Sequence, residues 1–209
     1  MRSLDPLLDV GGGPGNHVSE WASIGRIGVM VDISTAMIEI ARNRSHFHIV
    51  RSDAQNLPFV NDSFGLAYFH MSIQYGDWRR SLSEAVRVVR PGGRIEIWTF
   101  PPASIAMSSL GQWFPSIRAI DEPRFPDPTL LAEFLGSESR SVEVSAVDET
   151  IVRTALDWES AVRGRFVSSL QVVPDDEMDE GIRLFRERYP DDRDLYRYQS
   201  RFSRVTCVV

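Results

Sequence analysis

The chain has no lysine; all 23 of its basic residues are arginine. Schiff-base chemistry and lysine general bases are therefore excluded. It has one cysteine, Cys207. Neither a disulfide within the chain nor a thiolate metal cluster can form, and a lone cysteine in a terminal apolar stretch reads as a small core residue. No His/Asp/Glu grouping has metal-ligand spacing, so no metal is expected. There is no basic surplus either: the net charge is −6, and nucleic-acid binders more often carry a basic face. No apolar run is long enough to span a bilayer. Asp5 and Pro6 interrupt the only apolar start a secretory leader would use. These absences lead to the expectation of a cytoplasmic protein that binds neither nucleic acid nor membrane.

What is present begins at Leu7-Leu8-Asp9-Val10-Gly11-Gly12-Gly13-Pro14-Gly15-Asn16. The short apolar run reads as a buried strand. The glycines at 11, 13 and 15 follow where the backbone must turn tightly or admit a ligand. Asn16 is expected to cap a helix carrying Val18, Trp21 and Ala22 on one face. Strand, glycine loop and helix N-terminus together form a nucleotide-type cradle in open α/β sheets. The dinucleotide fingerprint would need glycine at position 16, where Asn16 stands, which argues against a nicotinamide enzyme.

Strand and helix patterns alternate to about residue 136, the mark of a doubly wound parallel sheet. Gly25 is expected to stop the first helix. The second strand, Ile27–Val31, ends on Asp32. A carboxylate there can accept from both hydroxyls of a ribose, or it can serve the following helix, which Ser34 can cap. Phe47–Val50 is a third strand and Phe64–His70 a fourth. Trp78–Arg90 is a helix with Leu82, Ala85, Val86 and Val89 on one face, stopped by Pro91-Gly92-Gly93 before a fifth strand, Ile95–Phe100. Residues 101–126 break the rhythm and read as an irregular substrate-side loop. Leu130, Leu131 and Phe134 suggest another helix, and Val142–Val147 a sixth strand. Trp158, Val162, Phe166 and Leu170 step by four along one helix, and Met178, Ile182 and Phe185 along another bounded by Pro174 and Pro190. Tyr196–Val209 is expected to be the last strand, antiparallel to its neighbour.

The run D-x-G-x-G-x-G from Asp9 resembles motif I of the class I S-adenosylmethionine-dependent methyltransferases, in particular the type 11 or ubiquinone/menaquinone-biosynthesis-like group. Val31–Met37 resembles their motif II, Asp53-Ala54-Gln55-Asn56-Leu57-Pro58-Phe59 their adenine-reading loop, and Arg87–Arg94 their post-motif segment. The likeness covers most of residues 6–150. It implies a doubly wound, mostly parallel seven-stranded Rossmann-like sheet with an antiparallel last strand, forming one domain over residues 1–209. Residues 1–100 would be its cofactor-binding half, with 101–126 and 155–190 as substrate-side loop and helical cap.

The resemblance also implies S-adenosyl-L-methionine as cofactor and a small-molecule acceptor. Asp9, Gly11, Gly13, Gly15, Asp32, Ile33, Met37, Asp53, Ala54 and Phe69 would bind the cofactor. His70 would be the general base where one is needed, with Met71 and Tyr75 near the reacting methyl. The motifs of amino-methylating and cytosine C5 nucleic-acid enzymes are missing from the fourth strand. Trp113, Phe114, Trp158 and Phe166 suggest a partly apolar acceptor. Only five residues precede Pro6, where the family has a helical segment. That is compatible with a more open pocket, with closure by a second subunit in a homodimer or by the insertions at 101–126 and 155–190, with a true start further upstream, and with a second reading as a catalytically degenerate cofactor-binding or partner protein.

Overall fold

The computed structural model describes residues 5–44, 47–137 and 141–209. In chain order its main elements are β1 (Leu7–Val10), α1 (Asn16–Ser23), β2 (Gly28–Asp32), α2 (Thr35–Arg42), β3 (His48–Arg51), β4 (Phe64–His70), α3 (Trp78–Val88) and β5 (Val89–Thr99). These are followed by α4 (Ser116–Asp121), α5 (Pro128–Gly136), β6 (Ser141–Thr154), α6 (Ala155–Arg163), α7 (Asp175–Arg188) and β7 (Leu195–Val208). The chain divides into two compact units. The first comprises the residues up to Thr99 with Pro126–Ser145 and Ser203–Val209; the second comprises Phe100–Phe125 and Ala146–Phe202.

The seven strands lie in the order β3-β2-β1-β4-β5-β7-β6. The first five are parallel, and β7 runs antiparallel to β5. Ser145 bonds to Arg204, Asp148 to Arg201 and Thr150 to Gln199. These pairs advance in opposite directions along the chain, so β6 is antiparallel to β7. The fold is the expected α/β sheet with an antiparallel finish.

The first unit packs in two apolar layers. In one, Leu8, Val10, Phe69, Ile95 and Ile97 meet Leu82, Ala85 and Val88 of α3 and Leu131 and Leu135 of α5. The spacing of the α3 residues sets one helical face inward. Asp77 caps α3 by accepting from the Arg79 and Arg80 backbone N–H groups, and Asp127 caps α5 through Thr129 N–H. In the other layer Val18 of α1 and Ile38 and Ala41 of α2 cover Met30.

The second unit has a core of its own, made of rings. Trp158 stacks on Phe185 at 3.8 Å and lies parallel to Phe114 at 6.1 Å. A Cβ at Gly181 of α7 would sit 2.3 Å from the Phe114 ring, so only glycine lets α7 approach. Thr154 caps α6 by accepting from Asp157 N–H.

Four local expectations are corrected. Asn16 is not the cap of α1: Gly15 takes that position with φ 79°, and the Asn16 carboxamide accepts from Arg44 instead. The helix expected to Arg90 ends at Val88, because Val89 pairs with Phe64 and a bulge follows before Arg94 pairs with Leu66. Residues 101–126 are not wholly irregular; they hold a 3-10 turn (Pro102–Ser104) and α4. The four-step pattern from Trp158 is broken at Gly164-Arg165, where Arg165 adopts φ 48°. Phe166 is consequently exposed, while Leu170 is buried on a separate 3-10 turn.

Candidate functional site

In an open parallel sheet, ligands bind beyond the carboxyl ends of the strands where the strand order reverses. Here that point lies between β1 and β4. The glycine loop leaves β1 on one side of it, and His70-Met71-Ser72 leaves β4 on the other. The two are joined: Ser72 Oγ donates to the Val10 carbonyl at 2.6 Å. Gly11, at φ 69°, passes so close that an added Cβ would stand 2.6 Å from Ser72 Cβ. Gly11 and Gly12 N–H both donate to the Val31 carbonyl, at 2.8 and 3.1 Å, which ties the loop to β2. Gly13, at φ 56°, has open space where a side chain would be. The loop therefore presents bare backbone to the crevice.

Asp32 stands at the end of β2 beside this loop. Its Oδ2 accepts from Gly13 N–H at 2.9 Å and its Oδ1 from Ser34 N–H at 2.8 Å. Ser34 in turn caps α2 by accepting from Met37 N–H. Asp32 thus serves the glycine loop and the start of α2, and each of its carboxylate oxygens keeps further acceptor capacity. Ile33 is 63% exposed and Met37 half-buried.

Asp9 lies beneath the loop rather than at its surface. It is 1% exposed, and its Oδ2 has no hydrogen-bond partner among the described residues. Burial, and then the charge of Asp32, push its carboxyl up to about 7 against the pull of a backbone hydrogen bond from Val18. Asp53 begins the loop after β3, and its carboxylate accepts from the Gln55 backbone at 2.9 Å and side-chain amide at 3.2 Å. Ala54 packs against the main core. Phe69 is 1% exposed inside that core, because β4 alternates and turns it away from the face that carries Tyr68 and His70.

His70 belongs to a polar–aromatic shelf. Its ring centroid lies 4.4 Å from that of His17, 6.0 Å from Tyr68 and 6.2 Å from Trp98. Trp98 Nε1–H donates to Glu96 at 2.8 Å, and the Arg204 guanidinium sits 5.8 Å from the Trp98 ring. Burial and the neighbouring His17 lower His70 to about 4. Its imidazole is therefore neutral near pH 7: able to accept a hydrogen bond, but a weak sink for a proton. Met71, next to it, is held at φ 53° and donates its N–H to the Trp98 carbonyl at 2.9 Å.

Gly12 and Ser72 have no signal in the sequence, since each acts through a neighbour distant in the chain, whereas Gln55 acts on Asp53 only two residues away. Phe114 and Trp158, expected to line an acceptor site, are at most 2% exposed in the ring core of the second unit. Among the described residues, no group of three or more His, Cys, Asp or Glu is placed to hold a metal ion. No helix among them is long and apolar enough to cross a membrane.

Residues 8–97, the stretch from β1 to β5, match the family model of the methyltransferase domain. This segment is similar to the methyltransferase domain family. Curated methyltransferases align with about half of this chain. A malonyl-[acyl-carrier protein] O-methyltransferase of Salmonella typhimurium is 35% identical over 106 residues, 50% of this chain and 42% of that one. A demethylmenaquinone methyltransferase of Corynebacterium kroppenstedtii is 32% identical over 114 residues, 52% of this chain and 49% of that one. The chain thus spans about half the length of the curated relatives it matches. In structure, a phosphoethanolamine N-methyltransferase of Haemonchus contortus, held with S-adenosylhomocysteine, superposes with a TM-score of 0.65 at 20% identity. That superposition covers all of this chain and 50% of the other, and it shows a shared fold.

Proposed function

We propose that the protein is an S-adenosyl-L-methionine-dependent methyltransferase acting on a small, partly apolar molecule. One observation carries the reading: the Asp32 carboxylate at the tip of β2 is hydrogen-bonded to the glycine loop at Gly13, beside the β1/β4 crevice. A nucleoside fits such a cradle, because the carboxylate can still accept from two ribose hydroxyls and the bare loop admits its body. Among Gly11–Asn16 there is no cationic side chain, which suits a nucleoside that carries no phosphate. Asp32 would hold the ribose. Ile33 and Met37 would pack on the adenine side, with Asp53 and the Ala54 backbone N–H reading the base. Gly11, Gly13 and Gly15 would border the rest.

Bound S-adenosylmethionine supplies a methyl group already activated by its sulfonium centre. The chain's own task is to position the acceptor and exclude water, and positioning of this kind can contribute roughly 7–11 kcal/mol in favourable cases. Tyr68 and Trp98 offer aromatic surface for a partly apolar acceptor. His70, neutral near pH 7, would accept a hydrogen bond from the acceptor's O–H or N–H and orient it. With its basicity so reduced, His70 serves as a positioning residue more than as a strong base. Phe69 and Asp9 support the site from within.

Calorimetric titration with S-adenosylhomocysteine tests the cradle. Removing hydrogen bonds to a charged group should weaken binding about tenfold or more in Asp32→Ala. An unchanged affinity would remove the ribose assignment. Transfer of labelled methyl across a panel of small acceptors tests turnover, and cofactor binding with no transfer to any of them would favour the degenerate binding protein.

A further inference from the structure

The second unit contains a hollow of ≈ 430 Å³ lined by Gln112, Trp113, Arg188, Tyr189, Tyr196 and Arg197. Its size lies within the range of small-ligand sites. Its lining carries two guanidinium groups and no carboxylate. Several other arginines of this unit are engaged: Arg165 with Asp175, Arg186 with Glu159, Arg201 with Asp148, and Arg153 over the Phe166 ring. Arg188, which ends α7, and Arg197, on β7, have no ion pair or hydrogen bond to another side chain among the described residues. In a chain with 29 acidic residues, two cations left without a carboxylate at one hollow form a local positive field that is open to an outside anion.

The floor is aromatic. Tyr196 is 2% exposed; its hydroxyl accepts from Trp113 Nε1–H at 3.2 Å and lies 3.5 Å from the Gln112 carboxamide oxygen. The Tyr189 ring stands 5.3 Å from it and the Trp113 ring 6.3 Å. Burial pushes the Tyr196 phenol up to about 12, with Arg188 acting in the opposite direction. The phenol therefore stays neutral and adds no negative charge to the hollow. Guanidinium groups grip carboxylate and phosphate through paired N–H donors, and ring walls favour a flat apolar body.

We propose that this hollow binds a small planar molecule bearing a carboxylate or a phosphate, with Arg188 and Arg197 holding the acid and Tyr189 and Trp113 contacting the ring over the buried Tyr196. The binding stands on the second unit alone.

The test is calorimetry on the full chain, without cofactor, using benzoate, phenyl phosphate and the uncharged benzyl alcohol. At least one anion should saturate at millimolar concentration or below, and benzyl alcohol should not. Arg188→Gln and Arg197→Gln should each weaken the anion about fivefold or more. Arg193→Gln, which removes an exposed arginine outside the hollow, should leave binding unchanged. The tighter of the two anions identifies the acid. Failure of both anions to saturate, equal binding of benzyl alcohol, or an equal loss in Arg193→Gln would overturn the proposal. None of these results bears on S-adenosylhomocysteine binding, which is measured separately.

Discussion

The two units solve the same packing problem with different materials. The first buries aliphatic side chains between parallel strands and helices, and keeps its polar groups at the carboxyl edge of the sheet. The second buries rings against rings: Phe114, Trp158, Phe185 and Tyr196 form its centre. In the first unit, the chemistry-bearing residues follow one another along the chain at strand ends. In the second, residues from α4's approach, α6, α7 and β7 converge with no order the sequence announces. Aromatic residues that look like ligand walls in the sequence are structural there, whereas arginines that look like surface charge line a hollow.

That contrast can be broken most sharply at Trp158. If it is core, Trp158→Ala should lower unfolding free energy by about 3–5 kcal/mol in urea titration. Phe166→Ala, at an exposed ring, should change it by about 0.5 kcal/mol or less. Similar small effects at both positions would return Trp158 to a ligand-lining role.

Asp9 sharpens the other side of the comparison, since it is a charge-capable group buried in an otherwise apolar strand. Its carboxyl titrates near 7 in the folded protein and at 3.8 as an ordinary aspartate. A raised acid binds more protons folded than unfolded, so stability falls as pH rises through the window between these values. Asp9→Asn should therefore be more stable than the parent at pH 8 by up to roughly 3–4 kcal/mol. The difference should vanish as pH approaches 4. A difference that does not vary with pH would show that Asp9 is already ionised at ordinary cost.

The glycine loop gives the smallest effect and the finest distinction. Gly11→Ala meets Ser72 as well as a positive φ, and should destabilise by about 1–3 kcal/mol. Gly13→Ala meets only the strained φ and should cost about 1 kcal/mol, while reducing S-adenosylhomocysteine affinity because the new methyl enters the crevice. Equal losses of stability at both positions would contradict the open space at Gly13.

The sequence made the first unit legible because its signals are local. Asp9, the glycines and Asp32 sit at ends of short apolar runs, and sheet topology turns those ends into one edge. Phe69 was misjudged by a single register step: strand alternation gives His70 to the crevice and Phe69 to the core. The Asn16 cap failed because the left-handed Gly15 starts α1 before Asn16 can. The second unit was opaque because its contacts are long-range; Trp113 meets Tyr196 across 83 positions. Phe166 left its pattern because Gly164-Arg165 ends the helix, a tertiary choice that four-step spacing cannot reveal.

The central claim is that the tip of β2 and the glycine loop together hold one adenosine. A crystal structure with S-adenosylhomocysteine addresses it most directly. The account predicts both ribose hydroxyls on the Asp32 carboxylate, with the nucleoside lying across the Gly11–Gly13 backbone. Product bound away from Asp32, or a crevice filled by the protein's own side chains, would contradict it.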